Sequence, residues 1–172
     1  MEKLLVVIDM QNDFIDQALG SAEAEKTVAE CVDLIADKSY TKVIATMDTH
    51  GENYMETLEG KYLPVPHCIK NSDGWKLHPL IQEALDARGA EIIEKPTFGS
   101  INLIDLVKKI QPDEITVCGL CTDICVISNA LLMRAALPDT EIKVVAKACA
   151  GTTIAKHNAA IAVMESCQIQ IA

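Results

Sequence analysis

Ile115-Thr116-Val117-Cys118-Gly119-Leu120-Cys121-Thr122-Asp123-Ile124-Cys125-Val126 is an apolar run that meets a glycine and then carries cysteines and an aspartate. Glu114 to Val117 is short, β-branched and bounded by Pro112-Asp113, as a buried strand should be. Ile124 to Leu137 has helical spacing and stops before Pro138. The stretch therefore reads as strand, turn and helix, with Cys125 in the first helical turn. Unpaired backbone N–H groups and the positive end of the helix dipole favour a thiolate there, so a cysteine at this place can become a nucleophile at neutral pH, although position alone does not make it one. A rival reading takes Cys118-x-x-Cys121-x-x-x-Cys125 as a metal or iron-sulfur ligand set, or Cys118 and Cys121 as a redox pair. The first lacks a fourth thiolate at a suitable spacing, and a redox pair usually opens its helix without an intervening strand-end glycine. Cys118 accordingly reads as core, and Cys121 as a turn residue lending its backbone N–H.

Outward from this stretch, strands and helices alternate. Leu4 to Ile8 is an uninterrupted apolar run, the pattern of a central parallel strand buried on both faces. Ser21 caps a helix over about Ala22 to Ala36, with Glu23 and Glu25 in its first turn. Lys42 to Thr46 is a strand, Leu80 to Ala87 a short helix, Glu91 to Glu94 a strand and Ile101 to Ile110 a helix. A strand at Ile142 to Val145, a helix over about Ile154 to Glu165 and a strand at Gln168 to Ile171 complete the chain. Such alternation predicts right-handed β-α-β crossovers and an α/β fold, a parallel sheet covered by helices on both faces. Met47 to Lys76 has no clean period, and a polar stretch this long inside a small domain is usually functional or disordered.

The 172 residues fit one domain, 1–172, long enough to bury a core unaided. A net charge of −10 argues against a nucleic-acid partner. No stretch approaches the ~20 apolar residues of a membrane span, and Met1 leads straight into a strand without a cleavable leader. Seven cysteines, an odd number, point to reduced thiols, and a cytoplasmic protein is expected. Cys31 lies on the helical stripe Val28, Cys31, Val32, Ile35 and reads as core packing.

In an open parallel sheet, ligands bind beyond the carboxyl ends of the strands where the strand order reverses. Asp9, Lys95 and Cys125 all fall at such ends, and Asp48 and His50 follow the second strand. No strand is followed by G-x-G-x-x-G, so no nucleotide cofactor is expected. Taken singly, each residue also has a plain structural explanation: Asp9 as a turn cap, Lys95 as a solvated lysine, Asp123 and Thr122 as turn chemistry. His78 and His157 read as surface or helix-end histidines, and Trp75 as a lid or subunit contact.

Taken together the residues resemble a family. Val7-Ile8-Asp9-Met10-Gln11-Asn12-Asp13-Phe14, Asp48-Thr49-His50, Pro66-His67-Cys68, Lys95-Pro96-Thr97-Phe98-Gly99 and Gly119-Leu120-Cys121-Thr122-Asp123-Ile124-Cys125-Val126 are similar, in order, to the motifs of the isochorismatase-like cysteine hydrolases, with the nicotinamidases as the nearest pattern. The resemblance implies a Rossmann-like three-layer α/β/α fold with a six-stranded parallel sheet of order 3-2-1-4-5-6. It implies an Asp9-Lys95-Cys125 triad, and an oxyanion hole from the backbone N–H groups of Cys121 and Cys125 beside a cis Leu120-Cys121 peptide. It also implies one divalent ion, zinc or else iron or manganese, at Asp48, His50 and His67, and a homo-oligomer, dimer or tetramer. The implied reaction is hydrolysis of a small amide, nicotinamide first. Cys125 sets the chain apart from the isochorismatase type, which has no cysteine there. Nicotinamidases commonly carry an aromatic residue three positions before the histidine matching His67, where this chain has Pro64. Phe14 matches the other ring contact and Tyr62 could substitute for the missing one. Another small amide or carbamoyl substrate, or a metal-holding or redox protein without enzymatic activity, are the alternatives.

Overall fold

Leu4, Leu5, Val6, Val7 and Ile8 expose no surface, which is why strand β1 (Lys3–Ile8) is an unbroken apolar run rather than an alternating one. Leu5 and Val7 point into one core and Leu4, Val6 and Ile8 into a second on the opposite face. In the computed structural model, which describes residues 1–172, the chain continues through α1 (Asn12–Ile15), α2 (Ala22–Ala36), β2 (Lys42–Asp48), α3 (Leu58–Tyr62), α4 (Pro79–Arg88), β3 (Glu91–Lys95) and α5 (Ile101–Ile110). It ends with β4 (Glu114–Leu120), α6 (Ile127–Ala136), β5 (Glu141–Ala150), α7 (Ile154–Ser166) and β6 (Gln170–Ile171). Every strand pair is parallel, and the order is β3-β2-β1-β4-β5-β6, as expected. Helices α2 and α4 cover one face of the sheet and α5, α6 and α7 the other. No helix is long and apolar enough to cross a membrane.

Helix starts follow the local chemistry. The side chains of Ser21, Ser100 and Thr153 accept from Ala24, Leu103 and Lys156 N–H, giving α2, α5 and α7 their caps. Strand ends depart further from expectation. β5 runs to Ala150, well past Val145, because β4 itself extends to Leu120 and pairing resumes after a register shift, with Gly119 opposite Cys149 and Leu120 opposite Ala150. Such irregularities re-aim the chain beside functional sites. Gly119 allows this one: its φ is 117°, and a Cβ there would lie 2.1 Å from the Ile8 carbonyl oxygen. The stretch from Met47 to Lys76 is ordered, with a 3-10 turn over Tyr54–Glu56 followed by α3. Trp75 is partly buried against the α2 core and donates its indole N–H to Thr49 Oγ1 at 2.9 Å.

The sheet reverses its order between β1 and β4, since the chain goes from β1 outward through β2 and β3 and returns to β1's other side. The carboxyl ends of β1, β2, β3 and β4 thus surround one place, and Asp9, Asp48, Lys95 and the Cys125 turn stand around it.

Candidate active site and metal centre

A lysine ammonium is the hub. Lys95 Nζ lies 2.6 Å from Asp9 Oδ2, 3.5 Å from Asp48 Oδ1 and 3.5 Å from Cys125 Sγ, and donates to the Thr97 carbonyl at 3.0 Å. All four residues of the charged cluster are buried. Burial would lower the lysine, but the charges of Asp9 first and then Asp48 outweigh it and hold the ammonium above its ordinary range. Asp9 is fixed from its other side by Thr46, whose hydroxyl donates to Oδ1 at 2.7 Å. Burial raises the Asp9 carboxyl, against the pull of Lys95. Asp9 holds a φ of 48°, in the left-handed region that aspartate tolerates better than most residues.

Cys125 does not occupy the first turn of an α-helix. Thr122–Val126 forms a π-turn leading into α6, with the Cys121 carbonyl accepting from both Ile124 N–H and Val126 N–H at 3.1 Å. The Leu120-Cys121 peptide is cis. Cys125 is 5 % exposed, and burial first, then the charge of Asp9, push its thiol well above the ordinary range, with Lys95 opposing. Desolvation and the adjacent Asp9 carboxylate thus favour the thiol, while Lys95 and the backbone dipoles of the turn favour the thiolate.

Next to the triad, Asp48, His50, His67 and Glu59 offer donor atoms that all lie within 4.8 Å of one another. Asp48 Oδ2 is 2.9 Å from His50 Nε2 and 3.5 Å from His67 Nε2, and Glu59 Oε1 is 3.7 and 3.6 Å from the same nitrogens. Metal bonds of ~2.1 Å in a tetrahedron place ligand atoms ~3.4 Å apart, so this set fits a divalent ion. His67 Nδ1 is engaged by the Val65 carbonyl at 2.8 Å, which leaves Nε2 for an ion. Burial would raise the Asp48 carboxyl, but hydrogen bonds from His50 and His67 and the charge of Lys95 hold it well below the usual range. Glu59 had no sequence signal: it sits on a five-residue helix without a motif of its own.

The motif after β1 holds this centre from below. The Gln11 side chain donates to the Asp48 carbonyl at 2.8 Å and accepts from the Asp48 N–H at 2.7 Å, clamping that residue's backbone. Asp13 accepts from Cys68 N–H at 2.7 Å, fixing the segment that carries His67. On the other side, Asn129 donates to the carbonyls of Phe98 and Cys125 and accepts from Ser100 N–H, at 3.0, 2.8 and 2.9 Å. It joins the loop after Lys95 to the Cys125 turn. Asn129→Ala would strand those three groups, and a loss of about 3 kcal/mol in urea unfolding is expected. Loss below 0.5 kcal/mol would mean that the loop and the turn are held independently. His157 lies in the first turn of α7, the helix-end place expected for it, and pairs through Nδ1 with Thr122 Oγ1 at 2.8 Å, while Asp123 accepts from Thr152 N–H and Oγ1 at 2.8 and 2.7 Å. The start of α7 thus braces the π-turn.

A cavity of about 750 Å³ opens over Cys125, with Asp48, Glu59 and His67 along one side. Phe14 lines it, its ring centroid 5.5 Å from that of His67. Tyr62 lines the rim and is 85 % exposed, while Pro64 is exposed outside the cavity. Leu58, Leu63, Phe98 and Ile124 add apolar wall.

The model of the isochorismatase domain matches residues 3–172. The chain belongs to the isochorismatase family. Within that family it is 31% identical over 143 residues to the uncharacterized isochorismatase family protein PncA of Bacillus subtilis, a match covering 76% of this chain and 78% of that one. It is 28% identical over 194 residues to the nicotinamidase of Escherichia coli, covering 95% and 90%. Among solved structures, the pyrazinamidase of Pyrococcus horikoshii in complex with zinc is similar with a TM-score of 0.81 at 25% identity, over 100% of this chain and 99% of that one. The isochorismatase family match thus spans both the triad and the four-donor centre.

Proposed function

We propose that the chain is a nicotinamidase-like amide hydrolase that releases ammonia from a small ring amide through a thioester on Cys125. The observation that carries this is the buried cluster of thiol, ammonium and carboxylate, of which the Cys125 thiol lines the cavity while Lys95 and Asp9 stand behind it. As sulfur attacks the amide carbon, the thiol proton passes to Asp9, and the carbonyl oxygen takes the negative charge. Backbone N–H groups of Cys121 and Cys125, at a helix start where such groups lack intrahelical partners, are proposed to receive that oxyanion. Asp9 then gives its proton to the leaving nitrogen as the C–N bond breaks, and ammonia departs. Water attacks the thioester, Asp9 takes its proton, and the C–S bond breaks to restore the thiol. Lys95 keeps Asp9 and the sulfur oriented and balances the negative charge that moves between them.

Asp48, His50, His67 and Glu59 would hold the divalent ion, for which we propose zinc, with iron or manganese as the alternatives. When bound, such an ion supplies a Lewis-acid contact for a ring nitrogen. The relatives support this reading through a nicotinamidase and a zinc-bound pyrazinamidase. Free thiols at all seven cysteines favour a reducing, cytoplasmic setting, and residues 1–172 are proposed to act as one domain within a dimer or tetramer.

Pro64 lies outside the cavity and Tyr62 only edges it, which favours a second reading: a small amide without a ring. Nicotinamide, benzamide and an aliphatic amide separate the two. Loss of one stacking wall costs ~1 kcal/mol, so nicotinamide is expected to show a KM raised several-fold with catalysis intact. Benzamide, lacking the ring nitrogen, should be far poorer. Fastest release of ammonia from the aliphatic amide would establish the second reading. Elemental analysis should find about one ion per chain, lost in His67→Ala, and a metal-free protein of full activity would refute the centre.

A further inference from the structure

Helix α3 forms the outer wall of the cavity, yet little holds it there. Leu58, Tyr62 and Leu63 line the cavity from this segment, the first two largely exposed and Leu63 about one-third exposed. Five residues are too few for a helix to be stable on its own, and the segment packs chiefly on the Tyr54–Glu56 turn that precedes it. Its ties are local: the Thr57 hydroxyl caps Gly60 N–H, and Tyr54 Oη donates to the Leu63 carbonyl at 2.9 Å. The exception is Glu59, whose carboxylate turns inward to stand 3.6 Å from His67 Nε2 and 3.7 Å from His50 Nε2.

We propose that Glu59 is a positioning residue: by binding the same divalent ion as Asp48, His50 and His67 it docks α3 onto the metal centre. Occupancy of the centre thereby sets the wall made by Leu58, Tyr62 and Leu63. The inference rests on the metal reading above and goes beyond it. Two carboxylates, Asp48 and Glu59, converge on one buried point. With a dication there the second carboxylate gains a bond and its helix an anchor. Without one, it gains a like-charged neighbour in a poorly solvated place. The same ion would then serve the substrate's ring and the wall the ring packs against.

Hydrogen exchange read by mass spectrometry tests this on the full chain, stripped by chelator and then saturated with zinc or manganese, with ion content measured in parallel. In the wild-type chain, amides of residues 58–63 are expected to exchange about tenfold more slowly with the ion bound, while the core of α4 is unchanged. In Glu59→Ala, kept at saturating metal, the 58–63 segment should exchange at the metal-free rate. The wild-type comparison decides by itself if Glu59→Ala holds no ion. Equal exchange of the segment in stripped and loaded wild-type protein would overturn the coupling and leave the metal centre standing. A segment slowed by metal equally in Glu59→Ala would show that α3 docks without Glu59. Absence of any bound ion in the wild type would sink both this inference and the metal reading.

Discussion

Cys125→Ala is expected to reduce ammonia release by at least ~10⁴-fold, because a covalent route has no substitute once its nucleophile is gone. The only other sulfur lining the cavity belongs to Cys121, and burial first, then the charge of Asp123, push that thiol up to about 12. The 3.5 Å contact with the Lys95 ammonium belongs to Cys125. The fold should survive, since alanine at a 5 % exposed position removes one sulfur atom from the core and leaves the Asp9–Lys95 pair intact. Metal content should be unchanged, and calorimetry should still detect amide binding. Residual turnover within 100-fold of the wild type would mean that water, and not sulfur, attacks the amide.

The raised thiol also changes what chemical labelling will show. A preformed thiolate would be alkylated near neutral pH, whereas a thiol held protonated by burial and Asp9 reacts slowly until its proton has somewhere to go. Reactivity therefore belongs to the substrate-bound arrangement, in which Asp9 takes the proton as the C–S bond forms.

Much of this was legible in the chain, for reasons that differ by residue. β1 and β4 declare themselves because strands buried on both faces must be apolar throughout. The ends of β1 and β4 then mark the place of Asp9 and Cys125, and the end of β3 that of Lys95. The extra length of β5 was hidden because Lys147 interrupts its apolar run and Ala146, Ala148 and Ala150 carry little β signal. Asn129 and His157 were hidden for another reason. Each acts through hydrogen bonds to partners about thirty residues away, 31 to Phe98 and 35 to Thr122, and no local pattern encodes such a partner. Glu59 joins the donor set only because Thr57 and Tyr54 turn a five-residue helix toward His50 and His67. Its carboxylate is indistinguishable in sequence from Glu56 beside it.

Asp9→Asn is expected to cost nearly as much as loss of the cysteine, roughly 10³–10⁴-fold in kcat, with little change in KM. Asparagine keeps the shape and can still accept from the Thr46 hydroxyl, but it cannot take the thiol proton or return one to ammonia. Lys95 would then lose its partner at 2.6 Å and keep Asp48 at 3.5 Å, so a buried charge remains paired and the chain should still fold, less stably by a few kcal/mol. Because the two residues form one proton-transfer unit, the double variant Asp9→Asn/Cys125→Ala should be no slower than Cys125→Ala alone. The pH profile gives an independent check. A base must be ionised to work, and burial raises the Asp9 carboxyl above its ordinary 3.8 in spite of Lys95. Wild-type kcat/KM should therefore fall as pH drops through a value above 3.8, and that acid limb should vanish in the residual activity of Asp9→Asn. An Asp9→Asn enzyme that keeps most of its rate, or an acid limb unchanged by the substitution, would reduce Asp9 to a turn residue and assign the proton to another group.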